Sequence, residues 1–232
     1  MKLNKKDTHS ITDLYAKRYK EYGYDPRTLG WFKGKQELRF SILTSQVDLE
    51  QKSILDVGCG FGDLNYFLKS RLKSYRYHGV DLVEELIFEA KKRHPEEGIH
   101  FSCEDFLAAT PQQYDFILGS GIFNYRLSHE DNYQYIQKTL KKALDECTIG
   151  CAFDFLSDKV DFQKYEFTFH SNPSKILELA YALSRAVILR NDYAPFEFTL
   201  FLFKNDDFDP ENTVFNRYQT LNPLNTIAEI AK

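Results

Sequence analysis

The run from Ser53 to Asp63, SILDVGCGFGD, constrains this chain more than any other stretch. Ser53, Ile54, Leu55 and Val57 make a short apolar strand around a carboxylate, Asp56, and glycines then fall at positions 58, 60 and 62. Glycine reaches backbone conformations that other residues adopt only at a cost, and it leaves no side chain in the way. A ligand can therefore lie directly on the main chain where the strand gives way to a helix, the crevice in which open α/β sheets usually bind.

The run departs from the common phosphate-binding loops. No Lys followed by Ser or Thr comes after Gly62, as a P-loop requires, and Asp63 stands where a dinucleotide fingerprint needs its third glycine. Asp56 and Asp63 would repel a pyrophosphate and favour a ligand that carries positive charge.

Hydrophobic spacing places the other elements. Leu64, Phe67, Leu68 and Leu72 recur at helical intervals, so a helix is expected over 62 to 72, its positive end toward the crevice. Residues 75 to 80 read as a second strand ending at Asp81, about 20 positions beyond the glycines, where a carboxylate can accept both hydroxyls of a ribose. Asp81 can equally cap the helix expected over 83 to 93. A third strand, 99 to 103, closes on Glu104, Asp105 and Phe106, and a fourth, 114 to 118, runs into GSGIFNY. There Gly119 and Gly121 flank Ser120 and let the backbone approach a ligand again. Ser128 and Asp131 suggest a capping box for the next helix, and 147 to 155 form a fifth strand.

Residues 157 to 172 exceed what such a sheet needs, and within them Tyr165, Phe167 and Phe169 alternate with polar residues as in an extended segment. Asn172 and Pro173 open a helix to about 183. The strands expected at 186 to 190 and 196 to 203 are separated by too short a turn to be anything but an antiparallel hairpin. Toward the N-terminus, helices are expected over 8 to 22 and 35 to 47. The chain thus divides into an N-terminal helical cap, 1–50, a core, 51–204, and a polar extension, 205–232.

A chain of 232 residues suits one α/β domain with a well-buried core. Net charge is −4 with basic residues scattered among acidic ones, so no footprint for nucleic acid is evident. Cys59, Cys103, Cys147 and Cys151 form no C-x-x-C pair and have no His at ligand spacing, which argues against zinc and for reduced thiols in a cytoplasmic protein. No apolar run is long enough to span a bilayer or to serve as a signal peptide, so no membrane association is expected.

DVGCGFG resembles the first motif of the class I S-adenosylmethionine-dependent methyltransferases, a strand ending in an acidic residue followed by G-x-G-x-G. The resemblance covers roughly 52 to 204. It implies a Rossmann-like, mostly parallel seven-stranded sheet in order 3-2-1-4-5-7-6, the last strand antiparallel, with helices on both faces and an N-terminal helical lid. It implies S-adenosyl-L-methionine as cofactor and S-adenosyl-L-homocysteine as product. On the cofactor it puts Asp56, Gly58, Gly60, Asp81 with Leu82, Asp105 and Phe106 at the adenine, Gly119 at the strand-four exit, and Arg39 of the lid at the carboxylate.

Methyl transfer from a sulfonium is an in-line displacement with a good leaving group, so the protein's main task is to hold the acceptor roughly 3 to 3.5 Å from the methyl carbon. A base is needed only when the acceptor arrives protonated. His170 and Asp154 are the candidates, with His129 behind them. His170 leads because imidazole titrates near neutrality. Ser120, Phe123, Asn124 and Arg126 are expected on the acceptor side, Arg126 as a grip for a carboxylate or phosphate. No D-P-P-Y or N-P-P-Y follows strand four, so a small-molecule acceptor methylated on O or N is expected. A protein or RNA acceptor is the alternative, and a non-catalytic S-adenosylmethionine-binding module the third reading.

Overall fold

The computed structural model describes residues 2–31, 36–162 and 166–205. The expectations for Lys35, for Tyr165 and for the tail beyond 205 lie outside the described residues.

Strands rich in β-branched and aromatic residues alternate with amphipathic helices along the chain, and this alternation produces a parallel sheet with helices on its faces. The strands are β1 (Ser53–Val57), β2 (Arg76–Asp81), β3 (Ile99–Cys103), β4 (Tyr114–Gly119), β5 (Cys147–Leu156), β6 (Val187–Arg190) and β7 (Glu197–Phe203). They lie in the order β3-β2-β1-β4-β5-β7-β6. The pairs β1–β2, β2–β3, β1–β4 and β4–β5 are parallel. β7 is antiparallel to both neighbours, with Asp154 opposite Thr199 and Leu156 opposite Glu197. This is the order and sense implied by the resemblance.

The helices are α1 (Lys5–Tyr22), α2 (Glu37–Leu43), α3 (Asp63–Lys69), α4 (Glu84–Arg93), α5 (Asn132–Glu146) and α6 (Pro173–Tyr181). Because side chains alternate across a strand, each sheet face gathers its own core. On one face Leu55, Val57, Ile117, Phe153 and Phe198 meet Ile136 and Leu140 of α5 and Ile176 of α6. On the other, Ile54, Tyr77, Phe101, Phe116 and Phe201 meet Phe40 and Leu43 of α2, Phe67 of α3 and Ile87 of α4.

Several boundaries differ from the sequence reading, and α3 ends at Lys69, short of 72. α1 begins at Lys5 because Asn4 caps it, its side chain accepting from the Lys6 N–H at 2.9 Å. α2 ends at Leu43 instead of continuing to 47, its terminal carbonyls taken by the Thr44 and Ser45 N–H groups. Asp131, not Ser128, caps α5, accepting from the Gln134 N–H at 2.9 Å. The Ser128 N–H is occupied elsewhere, by Asp7 of α1.

α1 packs on the start of α4 and on the glycine turn. Its Tyr15 and Tyr19, with Leu29 from the following turn, pack on Phe61, Val83 and Leu86. Two part-buried contacts hold its start. The Leu3 N–H donates to Asp105 Oδ2 at 3.0 Å, and Asp7, 1% exposed, accepts from the Ser128 and His129 N–H groups at 2.9 and 3.1 Å. The lid thus joins the exit of β3 to the loop after β4.

Candidate active site

The site is built on the glycine turn after β1. Gly58, Gly60 and Gly62 have φ of +71°, +54° and +77°, a region that costs other residues roughly 1 to 2 kcal/mol each. A β-carbon at Gly58 would lie 2.3 Å from Ile122 Cγ2, so the bare backbone lets the loop after β4 come up against the turn. Asp81, at the end of β2, fixes the turn by accepting from the Gly60 N–H at 2.9 Å and starts α4 by accepting from the Val83 N–H at 3.0 Å. Asp81 thus sits at the mouth of the crevice with each oxygen already accepting from one backbone N–H, and the N-cap position of α4 itself is Val83.

Carboxylates crowd this end of the sheet. Asp56 is 3% exposed and accepts from the Tyr77 hydroxyl at 2.6 Å. Burial pushes its carboxyl up to about 7, a shift the Tyr77 bond opposes and repulsion from Asp81, Asp63 and Asp154 reinforces. Burial also raises Asp81, against the N–H groups of Val83, Gly60 and Leu82. Asp63 is raised by burial too, although the Tyr24 hydroxyl donates to it at 3.0 Å. Mutually repelling, desolvated carboxylates are stabilised by an entering cation, so the site fits a donor with positive charge at sulfur and at its amino group.

Asp105 accepts from Leu3 with one oxygen and from the Leu107 N–H with the other, at 3.0 and 2.9 Å. It sits half-buried at the third strand end, where the Leu82 carbonyl accepts from the Cys103 thiol at 3.6 Å, while Phe106 is only 6% exposed and belongs to the core. Across the crevice, Gly119 ends β4 with Val57 O 2.9 Å from where its β-carbon would be, so only glycine fits there. The Ser120 hydroxyl and the Gly121 N–H donate to the two oxygens of Asp154, at 2.6 and 2.7 Å. Asp154 is 1% exposed inside β5, and burial raises its carboxyl against the pull of the Arg39 charge.

Arg39 of α2 is 7% exposed, far from a surface position. Its Nε donates to Glu197 at 2.7 Å, its Nη2 to the other Glu197 oxygen, and the Trp31 ring lies 4.2 Å from the guanidinium carbon. Burial opposes the charge, but Asp154 and Glu197 outweigh it and hold the guanidinium firmly protonated.

The side expected to take the acceptor is stitched from three segments. Residues 167 to 171 pair with the loop after β4, through Arg126 N–H to Phe167 O at 3.0 Å and Phe169 N–H to Asn124 O at 2.9 Å. They pair equally with the end of β5, through Ser171 N–H to Leu156 O at 2.8 Å and Asp158 N–H to Ser171 O at 2.9 Å. His170 lies in this bridge with Nδ1 2.8 Å from Ser157 O, a contact that requires the proton on Nδ1 and leaves the Nε2 lone pair free. Phe162 flanks His170 edge-on at 6.1 Å, and an open groove of about 580 Å³ lined by Val160, Phe162, Pro195 and Phe196 adjoins it.

Several expected acceptor residues have structural partners. Phe123 is 1% exposed and stacks on Phe155 at 5.0 Å, so it supports the loop from inside the core. Arg126 Nε and Nη2 donate to the carbonyls of Glu166 and Thr168, at 2.9 and 3.0 Å, spending on the bridge donors expected to grip an acid. His129 is placed by its main chain, which donates to Asp7. Sequence reasoning missed Asp7 and Glu197. For Glu197 a signal existed: it is a carboxylate heading the apolar run FTLFLF, a position that needs a buried cation, and Arg39 stands in the equally apolar α2. For Asp7 no local signal distinguishes it from the polar face of a surface helix.

Comparison with known proteins agrees with this geometry. Residues 54–145 match the family described as "Methyltransferase domain". Rv1506c of Mycobacterium tuberculosis, named as a methyltransferase, is 31% identical over 158 residues, covering 66% of this chain and 93% of that protein. The malonyl-[acyl-carrier protein] O-methyltransferase of Acetivibrio thermocellus is 33% identical over 94 residues, 39% of this chain and a third of that enzyme (33%). Among solved structures, magnesium protoporphyrin IX methyltransferase from Synechocystis PCC 6803 with bound SAM superposes with a TM-score of 0.61 at 12% identity, covering 88% of this chain and 98% of that one. The DhpI-SAM-HEP complex gives 0.64 at 15% identity, covering 86% and 98%. The chain belongs to the class I S-adenosylmethionine-dependent methyltransferases. It is an enzyme of that class, and its cofactor is S-adenosylmethionine.

Proposed function

We propose that the protein methylates an oxygen or nitrogen atom of a small molecule by in-line displacement, in the cytoplasm. The observation that carries this reading is the bridge 167 to 171, whose main chain ties the β4 loop to the end of β5. The open groove beside it is lined by Asp158, Lys159 and Asp161 as well as Phe162 and Phe196, which suits an acceptor that is partly apolar and carries polar groups. Among the described residues no helix is long and apolar enough to cross a membrane.

In this reading residues 1–50 cap a core of residues 51–204. The donor supplies a methyl group activated on a sulfonium; its positive groups meet Asp56, Gly58 and Gly60, its ribose Asp81, its adenine Leu82, Asp105 and Phe106, and its methionyl end Gly119 and Arg39. On the other side Ser120 and Asn124 orient the acceptor, with Phe123 and Arg126 holding their loop. His170 takes the acceptor's proton on Nε2, because Ser157 O holds the proton on Nδ1. Asp154 acts through Ser120.

Small-molecule extracts incubated with the protein and a methyl-labelled donor test the reading. Label is expected in the fraction passing an ultrafilter; label retained on protein or RNA would overturn it. With the acceptor in hand, His170→Gln should slow turnover by about 10² or more and leave donor affinity unchanged. Undiminished turnover would remove His170 as the base.

A further inference from the structure

Asp81 holds the glycine turn at Gly60, and a second side chain holds it at the next residue. His94, buried at the C-terminal end of α4, has Nε2 3.2 Å from Phe61 O and Nδ1 3.1 Å from Asn65 Nδ2. A carbonyl oxygen only accepts and an amide nitrogen only donates, so the ring carries its proton on Nε2 and a lone pair on Nδ1. The amide is oriented in its turn by Tyr75, whose hydroxyl donates to Asn65 Oδ1 at 2.8 Å and keeps Nδ2 toward the ring. The relay from Tyr75 through Asn65 and His94 therefore ends on the carbonyl of the residue between Gly60 and Gly62.

The ring also limits how the turn can move. A β-carbon on Gly62 would lie 2.9 Å from His94 Cδ2 and 2.8 Å from Phe101 Cζ, so the turn rests directly on these two rings, which are 5.6 Å apart. Phe61 carries the contact onward to the lid, its own ring packing on Tyr19 and Tyr24 at 5.9 and 4.9 Å. A second proton on Nδ1 would face the Asn65 N–H, and turning the amide to meet it would lose the Tyr75 bond. Burial pushes the ring below its ordinary value, with Lys69 helping and Glu96, Phe61 O and Asp63 opposing. Asp63 and Lys69 belong to α3, Glu96 follows α4, and β3 presents only Phe101 to the ring. Protons reach His94 from outside the crevice: with Lys91 and Pro95 it lines an open groove of about 950 Å³, none of whose residues is among those placed on the donor.

We propose that His94 is a positioning residue for the methyl donor: in its neutral form, protonated on Nε2, it braces the glycine turn at Phe61 O, so that donor binding and a second proton on the ring oppose one another. The proposal rests on the reading of the glycine turn as the donor's place. Asp81 just before α4 and His94 just after it then hold successive residues of the turn, the first by accepting from an N–H and the second by donating to a carbonyl.

Heteronuclear NMR of histidine-labelled protein reads the ring directly, with S-adenosylhomocysteine, uncharged at sulfur, as the probe. His94 is expected with Nδ1 unprotonated and Nε2 protonated, and its titration midpoint should fall when the probe is bound. That of His78, which bonds Ser102 on the opposite face of the sheet, should stay where it is. A histidine that only supports the fold would titrate alike with and without the probe. In calorimetry at neutral pH, His94→Leu fills the space without a donor and should bind S-adenosylhomocysteine about ten-fold more weakly than wild type, the loss of one buried hydrogen bond. His94→Gln, whose amide N–H can reach Phe61 O, should recover most of that loss. A His94 midpoint that the probe does not move, wild-type affinity in His94→Leu, or equal weakening in both variants overturns the proposal. Should His94→Leu fail to fold, the titration of the wild type decides alone. No binding of the probe by the wild type would sink the donor reading and the proposal with it, whereas binding with an unmoved His94 sinks the proposal only.

Discussion

At the ends of β1 to β3 the carboxylates that shape the site come from residues 56 to 105, and Asp81 reaches Gly60 only 21 positions away. Where the lid meets β7 and the loop after β4, Arg39 meets Glu197 across 158 positions, and Asp7 meets His129 across 122. The first region uses carboxylates on backbone N–H groups; the second adds side chains paired with one another and a bridge of irregular chain. Backbone donors exist whatever the sequence, so a donor site of this kind needs only glycines and well-placed acids. A site made of side-chain pairs exists only when both partners are present. One fold can therefore keep its cofactor and exchange its acceptor.

The largest effect expected from a single change falls on the donor side. Gly58→Val places a branched side chain where even a β-carbon lies 2.3 Å from Ile122 Cγ2, at φ +71°. Donor binding should drop below detection in calorimetry, and thermal unfolding should report a loss of about 1 to 3 kcal/mol, the cost of left-handed backbone in a non-glycine residue. Affinity within ten-fold of wild type would show that the turn and the β4 loop separate without penalty, and would break the contrast between a backbone-built side and a side-chain-built one.

A smaller effect is expected at the lid. Asp7→Ala removes the buried carboxylate that accepts from the part-buried Ser128 and His129 N–H groups, costing about 1 kcal/mol of stability. Stopped-flow measurements should show faster donor release. Unchanged release with lowered stability would confine Asp7 to folding and detach α1 from the donor side.

The smallest effect is a pH dependence. The Asp56 carboxyl, raised by burial from 3.8 to about 7, is largely protonated at pH 6 in the donor-free protein. A bound cation favours the carboxylate, so donor affinity should rise a few-fold between about pH 6 and 8, with protons released on binding. Calorimetry in buffers of different ionisation enthalpy counts them. The stability sign is opposite: a raised acid stabilises the fold at pH below its unfolded value and loses that contribution as pH rises through about 7. The donor-free thermal midpoint should therefore fall from pH 5 to pH 8, less steeply with donor present. Binding without proton release would mean that the carboxylates do not respond to the ligand.

How much of this was legible in the sequence follows the same division. The glycine turn, Asp81 at a strand end and the antiparallel hairpin of β6 and β7 were readable because each depends on residues close together in the chain. The sheet order came through the resemblance of DVGCGFG, since periodicity alone stops at a mostly parallel α/β sheet. The burial of Arg39 and its pairing with Glu197 were not readable, because a helix of seven residues gives no sign of which strand it will meet. Ser128 looked like a helix cap on spacing alone, and a carboxylate on a different helix took its N–H. His170 fell on the polar side of an alternating stretch, which says nothing of its partners, so its tautomer could be fixed only by the distance to Ser157.

The most direct test is calorimetric titration of the purified, cofactor-free protein and of Asp81→Ala with S-adenosylmethionine. The structure predicts binding by the wild type and a loss of about 1.5 to 3 kcal/mol in the variant, the range for hydrogen bonds to a charged group, with the Gly60 N–H left unpaired as well. No binding by the wild type, or wild-type affinity in Asp81→Ala, would contradict the account.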